Sequence, residues 1–135
     1  MTKPSAKGLL DTSVFIALES ERLIDASMLP DQSVVCPVTI AELQAGVLAA
    51  ADVDTRARRL STLESVADIE VLVIDADVAA EWARMRVHLA ETGRRVGVND
   101  LWIAATAAAH RLPIVSQDDD FGPLDGVRGL SVIRV

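Results

Sequence analysis

The chain has 135 residues, 50% of them hydrophobic and 24% charged, with a single cysteine, Cys36; it can bury a core without staples, leaves no room for an ordinary second domain, and excludes an internal disulfide framework. Its 20 acids against 13 bases give a net charge of -7, which argues against nonspecific adhesion to nucleic acid or anionic lipid. The mean hydropathy is +0.31. The longest charge-free stretches, Gln32–Ala41 and Leu101–His110, nevertheless run ten residues against about 20 for a spanning helix, and no apolar leader precedes Asp11, so a soluble cytoplasmic protein without a membrane segment is expected.

In chain order, the apolar run Lys7–Asp11 reads as a strand that stops at an acid. Thr12-Ser13 then leads into a helix with Val14, Phe15, Ala17 and Leu18 at helical spacing. A second short helix is expected from Arg22 to Met28, ending before Pro30, and Ser33–Cys36 is the next strand, closed by Pro37. Thr39-Ile-Ala-Glu42 has the form of a capping box opening a helix to about Ala51. The following helix places Ala57, Leu60 and Leu63 on one side and Arg56, Arg58 and Arg59 on the other. Ile69–Ile74 reads as a strand, and Asp75 caps a long helix with an apolar stripe of Val78, Trp82, Met85 and Leu89, ended by Gly93. After the loop Arg94–Asn99, an alanine-rich helix runs from Asp100 to His110. Pro113–Ser116 is a fourth strand, Gln117–Phe121 a loop, and Leu130–Val135 a last strand. Strands alternating with helices call for a parallel sheet covered on both faces, a three-layer α/β sandwich forming one domain over residues 1–135.

On this scaffold several acids occupy one kind of position. Asp11 ends the first strand, Glu42 lies in the first turn after the second, Asp100 opens the helix before the fourth, and Asp118 follows that strand. Loops at the carboxyl ends of the strands of an open α/β sheet converge on the ligand crevice. Carboxylates gathered there repel by roughly 4 kcal/mol per close pair at an effective dielectric near 20. With Lys3 and Lys7 as the only lysines and no Cys/His cluster, the natural compensation is a hard cation, Mg²⁺ or Mn²⁺. Such a cage equips a protein to hydrolyse phosphodiesters. Two cations, each adding two charges, would lift the net charge from -7 to -3. Each acid also has a plainer role: Glu42 as partner of Thr39 in the capping box, Asp100 as an acid favoured by the helix dipole, and Asp118-Asp119-Asp120 as a solvated run. Asp11 is the hardest to account for that way, because an acid ending an apolar strand is costly without a partner. Ser13 is placed to orient it by a hydrogen bond.

Leu10-Asp11-Thr12-Ser13, Thr39-Ile-Ala-Glu42-Leu43, Asn99-Asp100-Leu101-Trp102-Ile103-Ala104-Ala105 and Val115-Ser116-Gln117-Asp118-Asp119-Asp120-Phe121 resemble, in order and separation, the four acidic motifs of the PIN domain, and more narrowly those of VapC-type toxins. The resemblance spans essentially the whole chain. It implies a five-stranded parallel sheet and an endoribonuclease dependent on Mg²⁺ or Mn²⁺. Asp11, Glu42, Asp100 and Asp118 take the metal-site positions, Ser13 the supporting hydroxyl position, and Asp120 a further, less constant acid. Ser116 departs from the commoner Thr but keeps a hydroxyl. The resemblance also implies a homodimer and a small antitoxin encoded alongside.

Outside these motifs, Arg94 and Arg95 precede Asp100 in a loop and are placed either to meet an RNA phosphate or simply to be solvated. His88 and His110 fall late in their helices, where the dipole favours them. Cys36 reads as a small buried hydrophobe, and Trp82 and Trp102 as core or dimer interface. A phosphoryl-accepting receiver domain needs a lysine after a late strand, and none follows Lys7. A haloacid-dehalogenase-type phosphatase wants Asp-x-Asp where this chain has Ser13, and no Gly-rich phosphate loop is present. The open alternatives are a housekeeping nuclease and a non-catalytic module on the same scaffold.

Overall fold

The computed structural model describes residues 6–135; Met1–Ser5, and with them the start of the expected 1–135 span, lie outside the described residues. The elements are β1 (Lys7–Leu10), α1 (Thr12–Glu19), β2 (Gln32–Val35), α2 (Pro37–Leu48), α3 (Val53–Ser65), β3 (Glu70–Val71), α4 (Ala76–Thr92), α5 (Val98–Ala109), β4 (Ile114–Ser116) and β5 (Val132–Arg134). The strands form one sheet in the order β3-β2-β1-β4-β5, every pairing parallel. Alternation along each strand divides the core. Leu9, Val34 and Ile114 face Met85 and Leu89 of α4 and Ile103 of α5. Leu10, Val35 and Val115 face Val14 and Phe15 of α1 and Leu43 of α2. Helices thus cover both faces, which is the expected three-layer arrangement.

From β1 the chain moves outward to β2 and β3, then crosses back to β4 on the other side of β1. The order reverses between β1 and β4, where Leu10 pairs with Val115 and the Asp11 amide donates to the Val115 carbonyl at 3.0 Å. A crevice at the carboxyl ends of the strands opens at such a switch point. Asp11 and Ser116 are the residues at its two lips.

Several local expectations need correcting. The stretch Arg22–Met28 is no helix beyond the 3-10 turn Ala26–Met28, whose N-cap Asp25 accepts from the Ser27 amide at 3.2 Å. The helix expected to open at Thr39 begins at Pro37, with Cys36 as N-cap and without a side-chain cap, and ends at Leu48. Proline at the first helical turn has no amide to satisfy, so the turn starts there and the capping box does not form. In α3 the Ala57 and Leu60 side is exposed, whereas Thr55, Arg59, Thr62 and Leu63 pack inward. Arg59 donates to the Gly46 carbonyl at 2.7 Å and Thr62 to Glu19 at 2.8 Å, so α3 docks by polar contacts as well as through Leu63. The strand expected over Ile69–Ile74 shrinks to Glu70–Val71 because its partner β2 ends at Val35 and turns into α2. Val73 and Ile74 are left exposed. The alanine-rich helix starts at Val98, so Asp100 sits within its first turn rather than opening it. Asp75 does cap α4, accepting from the Val78 amide at 3.1 Å, and Gly93 ends it at φ 65°, a left-handed conformation that glycine adopts at no steric cost.

Candidate active site

Asp11 directly follows β1 and is the N-cap residue of α1, yet its carboxylate does not cap the helix. It is 3% exposed. Ser13 Oγ donates to one carboxylate oxygen at 2.6 Å and Ser116 Oγ to the other at 3.0 Å. Ser13 is itself fixed by the Gln117 amide, which donates to its hydroxyl at 2.9 Å. Ser116 Oγ lies 3.2 Å from Asp118 Oδ1, and that same oxygen accepts from the Asp120 amide at 3.1 Å. Asp11, Ser13, Ser116, Asp118 and Asp120 are therefore one hydrogen-bonded cluster spanning the switch point. Phe121, fully buried in the α4/α5 core, pins the loop that carries Asp118 and Asp120.

Asp100 approaches from α5. Burial first, then the charges of Asp120, Asp11, Asp118 and Glu42, push its carboxyl up to about 7. Asp11 is pushed up to about 6, mainly by burial, against the lowering pull of Ser13 and Ser116. Asp120 is also raised, chiefly by Asp118. The predicted acids thus share one electrostatic field. As they stand, no three His, Cys, Asp or Glu side chains among the described residues converge tightly enough to form a finished ion cage. The donor set is all carboxylate and hydroxyl oxygen, and carboxyls held partly protonated near neutrality by burial, and at Asp100 also by neighbouring acids, are what a hard divalent cation would relieve, so the residues fit such an ion.

Glu42 is held by a device that sequence reading did not find. Thr12 Oγ1 donates to Glu42 Oε1 at 2.7 Å and lies 3.0 Å from Thr39 Oγ1. The Thr12 hydroxyl thus stands within donating reach of both the Glu42 carboxylate and the buried Thr39 hydroxyl. Thr39 is therefore linked to Glu42 through Thr12 and not through a capping box. The signal lay in the sequence as two threonines beside the acidic motifs, but their pairing is a property of α1 packing on α2.

The other candidates lie elsewhere. Arg94 and Arg95 are exposed in the loop before α5 and, among the described residues, form no ion pair. His110 Nε2 is 3.1 Å from the Val73 carbonyl, away from the acids. His88 is half-buried on α4. Cys36 is fully buried, and burial pushes its thiol up, which makes it inert. Trp82 and Trp102 stack on each other with ring centroids 5.1 Å apart, against the α4/α5 core.

A parallel α/β sheet whose switch point gathers carboxylates from four loops and helix starts is the architecture of a PIN-type domain, and the PIN domain family matches residues 8–127. Ribonuclease VapC5 of Mycobacterium tuberculosis is 58% identical to the chain over the whole of both sequences, and ribonuclease VapC4 of the same organism is 39% identical over 93% of this chain and 97% of its own. The crystal structure of VapBC-5 from Mycobacterium tuberculosis, a member of the VapBC family of toxin-antitoxin systems, superposes with a TM-score of 0.91, covering 96% of this chain and 99% of that one at 58% identity. The chain belongs to the PIN-domain family and, within it, to the VapC ribonucleases.

Proposed function

We propose that the chain is the endoribonuclease toxin of a toxin-antitoxin pair, cutting RNA phosphodiester bonds at the Asp11, Glu42, Asp100 and Asp118 edge. The observation that carries the reading is Asp11, almost wholly buried at the switch point, with both carboxylate oxygens accepting from serine hydroxyls while three further acids act on its neighbour Asp100. These four carboxylates, with Asp120 beside them, would hold Mg²⁺ or Mn²⁺. When bound, the cation lowers the pKa of an attacking water and stabilises the leaving oxygen of the cut strand. Ser13 and Ser116 fix the rotamer of Asp11 by donating to it, which leaves its remaining lone pairs for the ion. Ser116 can donate its single proton to Asp11 or to Asp118, and so ties the two acids together. Glu42 is oriented by Thr12.

The partner is a small antitoxin. Ile16 (41%), Leu18 (57%) and Leu23 (95%) along and after α1, and Leu48 (81%) at the end of α2, are exposed. Beside them a cavity of about 290 Å³ is lined by Ile16, Leu43 and Arg59 together with Thr12 and Glu42. An amphipathic antitoxin segment would lay apolar anchors on that face and extend a cationic side chain to the acids. The active form is a homodimer in the cytoplasm, where RNA is the substrate; the family resemblance supports both points, and no helix among the described residues is long and apolar enough to cross a membrane.

Expression of the chain alone in a permissive host should arrest growth and degrade RNA, and co-expression with its neighbouring gene should restore both. A chain harmless alone, although its purified form cuts RNA with Mg²⁺, would replace the toxin reading with a housekeeping nuclease. Failure to cut RNA under any divalent ion would leave only a binding module.

Thr12 supplies a finer test. Thr12→Val keeps the shape and removes the hydroxyl, so cleavage should fall about 10–100-fold, the usual loss when the outer partner of a metal ligand is removed. The stranded Thr39 hydroxyl should cost about 1–3 kcal/mol of stability. Thr12→Ser should restore cleavage, and unchanged rates in Thr12→Val would show that Glu42 needs no such support.

A further inference from the structure

A cavity of about 540 Å³ opens between the C-terminal half of α4, the loop that follows it and the start of α5. Arg86, Arg94 and Arg95 line it together with the apolar Leu89, Val96 and Leu101, and no acidic residue contributes to its wall. Leu89 and Leu101 are buried and the arginines exposed, so the apolar groups form the floor and the guanidinium groups the rim. Arg84, Arg128 and Arg134 each pair with a carboxylate, whereas none of the three rim arginines does so among the described residues. Arg86 lies over the Trp82 ring at 5.6 Å, a contact that holds its guanidinium at the rim. On a chain of net charge -7, three cations without a carboxylate partner among the described residues surround one cavity.

The cavity and the acid edge share the start of α5. A Cβ placed on Gly97, the N-cap of α5, would come within 3.7 Å of Asp100 Oδ2, and Leu101, the residue after Asp100, lines the cavity. A polyanion bound across the acid edge meets repulsion wherever a carboxylate is not neutralised, and the rim offers cations on the chain segment that leads into Asp100. The volume lies within the range of about 300–1,000 Å³ typical of small-ligand pockets, enough for one nucleotide. Arginine forks match phosphate oxygens bidentately, and an apolar floor accepts an unstacked base, which single strands offer and duplexes do not.

We propose that the Arg86, Arg94 and Arg95 cavity binds the backbone phosphates of single-stranded RNA next to the cut linkage, with a flanking base against the Leu89, Val96 and Leu101 floor. This rests on reading the acid edge as a ribonuclease centre. The test compares the full chain with an Arg86→Ala, Arg94→Ala, Arg95→Ala triple variant, and with Arg84→Ala as a control for lost surface charge. The probe is a short fluorescein-labelled single-stranded RNA. In Mg²⁺, KM for this RNA should rise about tenfold or more in the triple variant with kcat within about twofold, because uniform binding is lost. The slope of log kcat/KM against log salt should become shallower by about 0.7 for each phosphate contact removed. Arg84→Ala should change neither. If the triple variant melts lower than the wild type, the Arg94→Ala and Arg95→Ala single variants carry the comparison.

Fluorescence anisotropy of the same RNA in EDTA reads binding without cleavage. A drop in affinity there supports the cavity even if the wild type cuts nothing, a result that would count against the acid edge alone. Unchanged affinity, KM and salt slope would overturn the proposal. So would unchanged RNA binding together with loss of the antitoxin complex, which would make the rim a protein-docking surface.

Discussion

Asp100→Asn is expected to lower RNA cleavage by at least ~10²-fold, more than loss of an outer partner of a metal ligand usually costs, while raising the melting temperature of the metal-free protein at pH 8. The two effects have one cause. Asp100 sits in the first turn of α5, where the helix dipole favours a negative charge. Its carboxyl is nevertheless pushed up to about 7, because burial and the charges of Asp120, Asp11, Asp118 and Glu42 outweigh the dipole. Asparagine has the same shape and no charge, so the variant removes repulsion from the metal-free fold and at the same time removes a ligand. Among the described residues the Asp100 side chain makes no hydrogen bond, so the substitution strands no donor. Steady-state cleavage and thermal melting in EDTA check the pair. Full activity would remove Asp100 from the site, and a lower melting temperature would show that its charge supports the fold.

Asp11 was legible in the sequence because a charged residue closing an apolar strand has no bland explanation, and the structure places it at the one point where strand order reverses. Asp118 followed from the same reasoning applied to β4. Asp100 was legible as a helix-start acid, but its reach toward the others depends on the helix beginning at Val98, which turns its side chain toward the switch point. What the sequence hid were contacts between distant segments. The Thr12 to Glu42 and Thr12 to Thr39 bonds join residues 30 and 27 positions apart, and no periodicity encodes them. The packed side of α3 was misread for a related reason. Hydrophobic spacing points to Ala57, Leu60 and Leu63; Leu63 does pack on the α1/α2 core, but Ala57 and Leu60 are exposed, and the helix also docks through Arg59 and Thr62, whose partners lie on α2 and α1. The edge strand β3 was overestimated because β-branched composition says nothing about where the neighbouring strand runs out.

The metal-free protein should lose stability as pH rises from 5 to 8, and a divalent cation should restore it only at the upper end. Burial, and at Asp100 also the neighbouring acids, push the folded carboxyls of Asp11 and Asp100 up to about 6 and about 7 from the ordinary 3.8, so the folded state keeps protons that the unfolded chain has released. A carboxyl raised in this way favours folding fully below about pH 4, and its contribution disappears as pH climbs through 6 and 7. Asp52 and Glu81 are shifted the other way, Asp52 by the Thr55 amide and hydroxyl and Glu81 by Arg128. Their contribution is already complete above the ordinary carboxylate range, so it does not change across this window. For Asp11, almost wholly buried, the rise to about 6 corresponds to roughly 3 kcal/mol; Asp100 is partly exposed, and solvent screening reduces its contribution. A cation binds the deprotonated set and displaces these protons, so its effect grows with pH. At about 100 times its dissociation constant it adds about 2.7 kcal/mol. In a domain of this size that is roughly 10 °C in melting temperature. Melting curves at pH 5, 6.5 and 8, each in EDTA and in MgCl₂, read both arms. In EDTA the curve should descend with pH for the wild type and become shallower in Asp100→Asn, keeping the part of the descent that Asp11 causes below about pH 6. A wild-type EDTA curve that rises or stays level from 5 to 8 would mean that the carboxyls at the switch point are not held in the protonated state, and the acid edge would then lack the strain that a bound cation relieves.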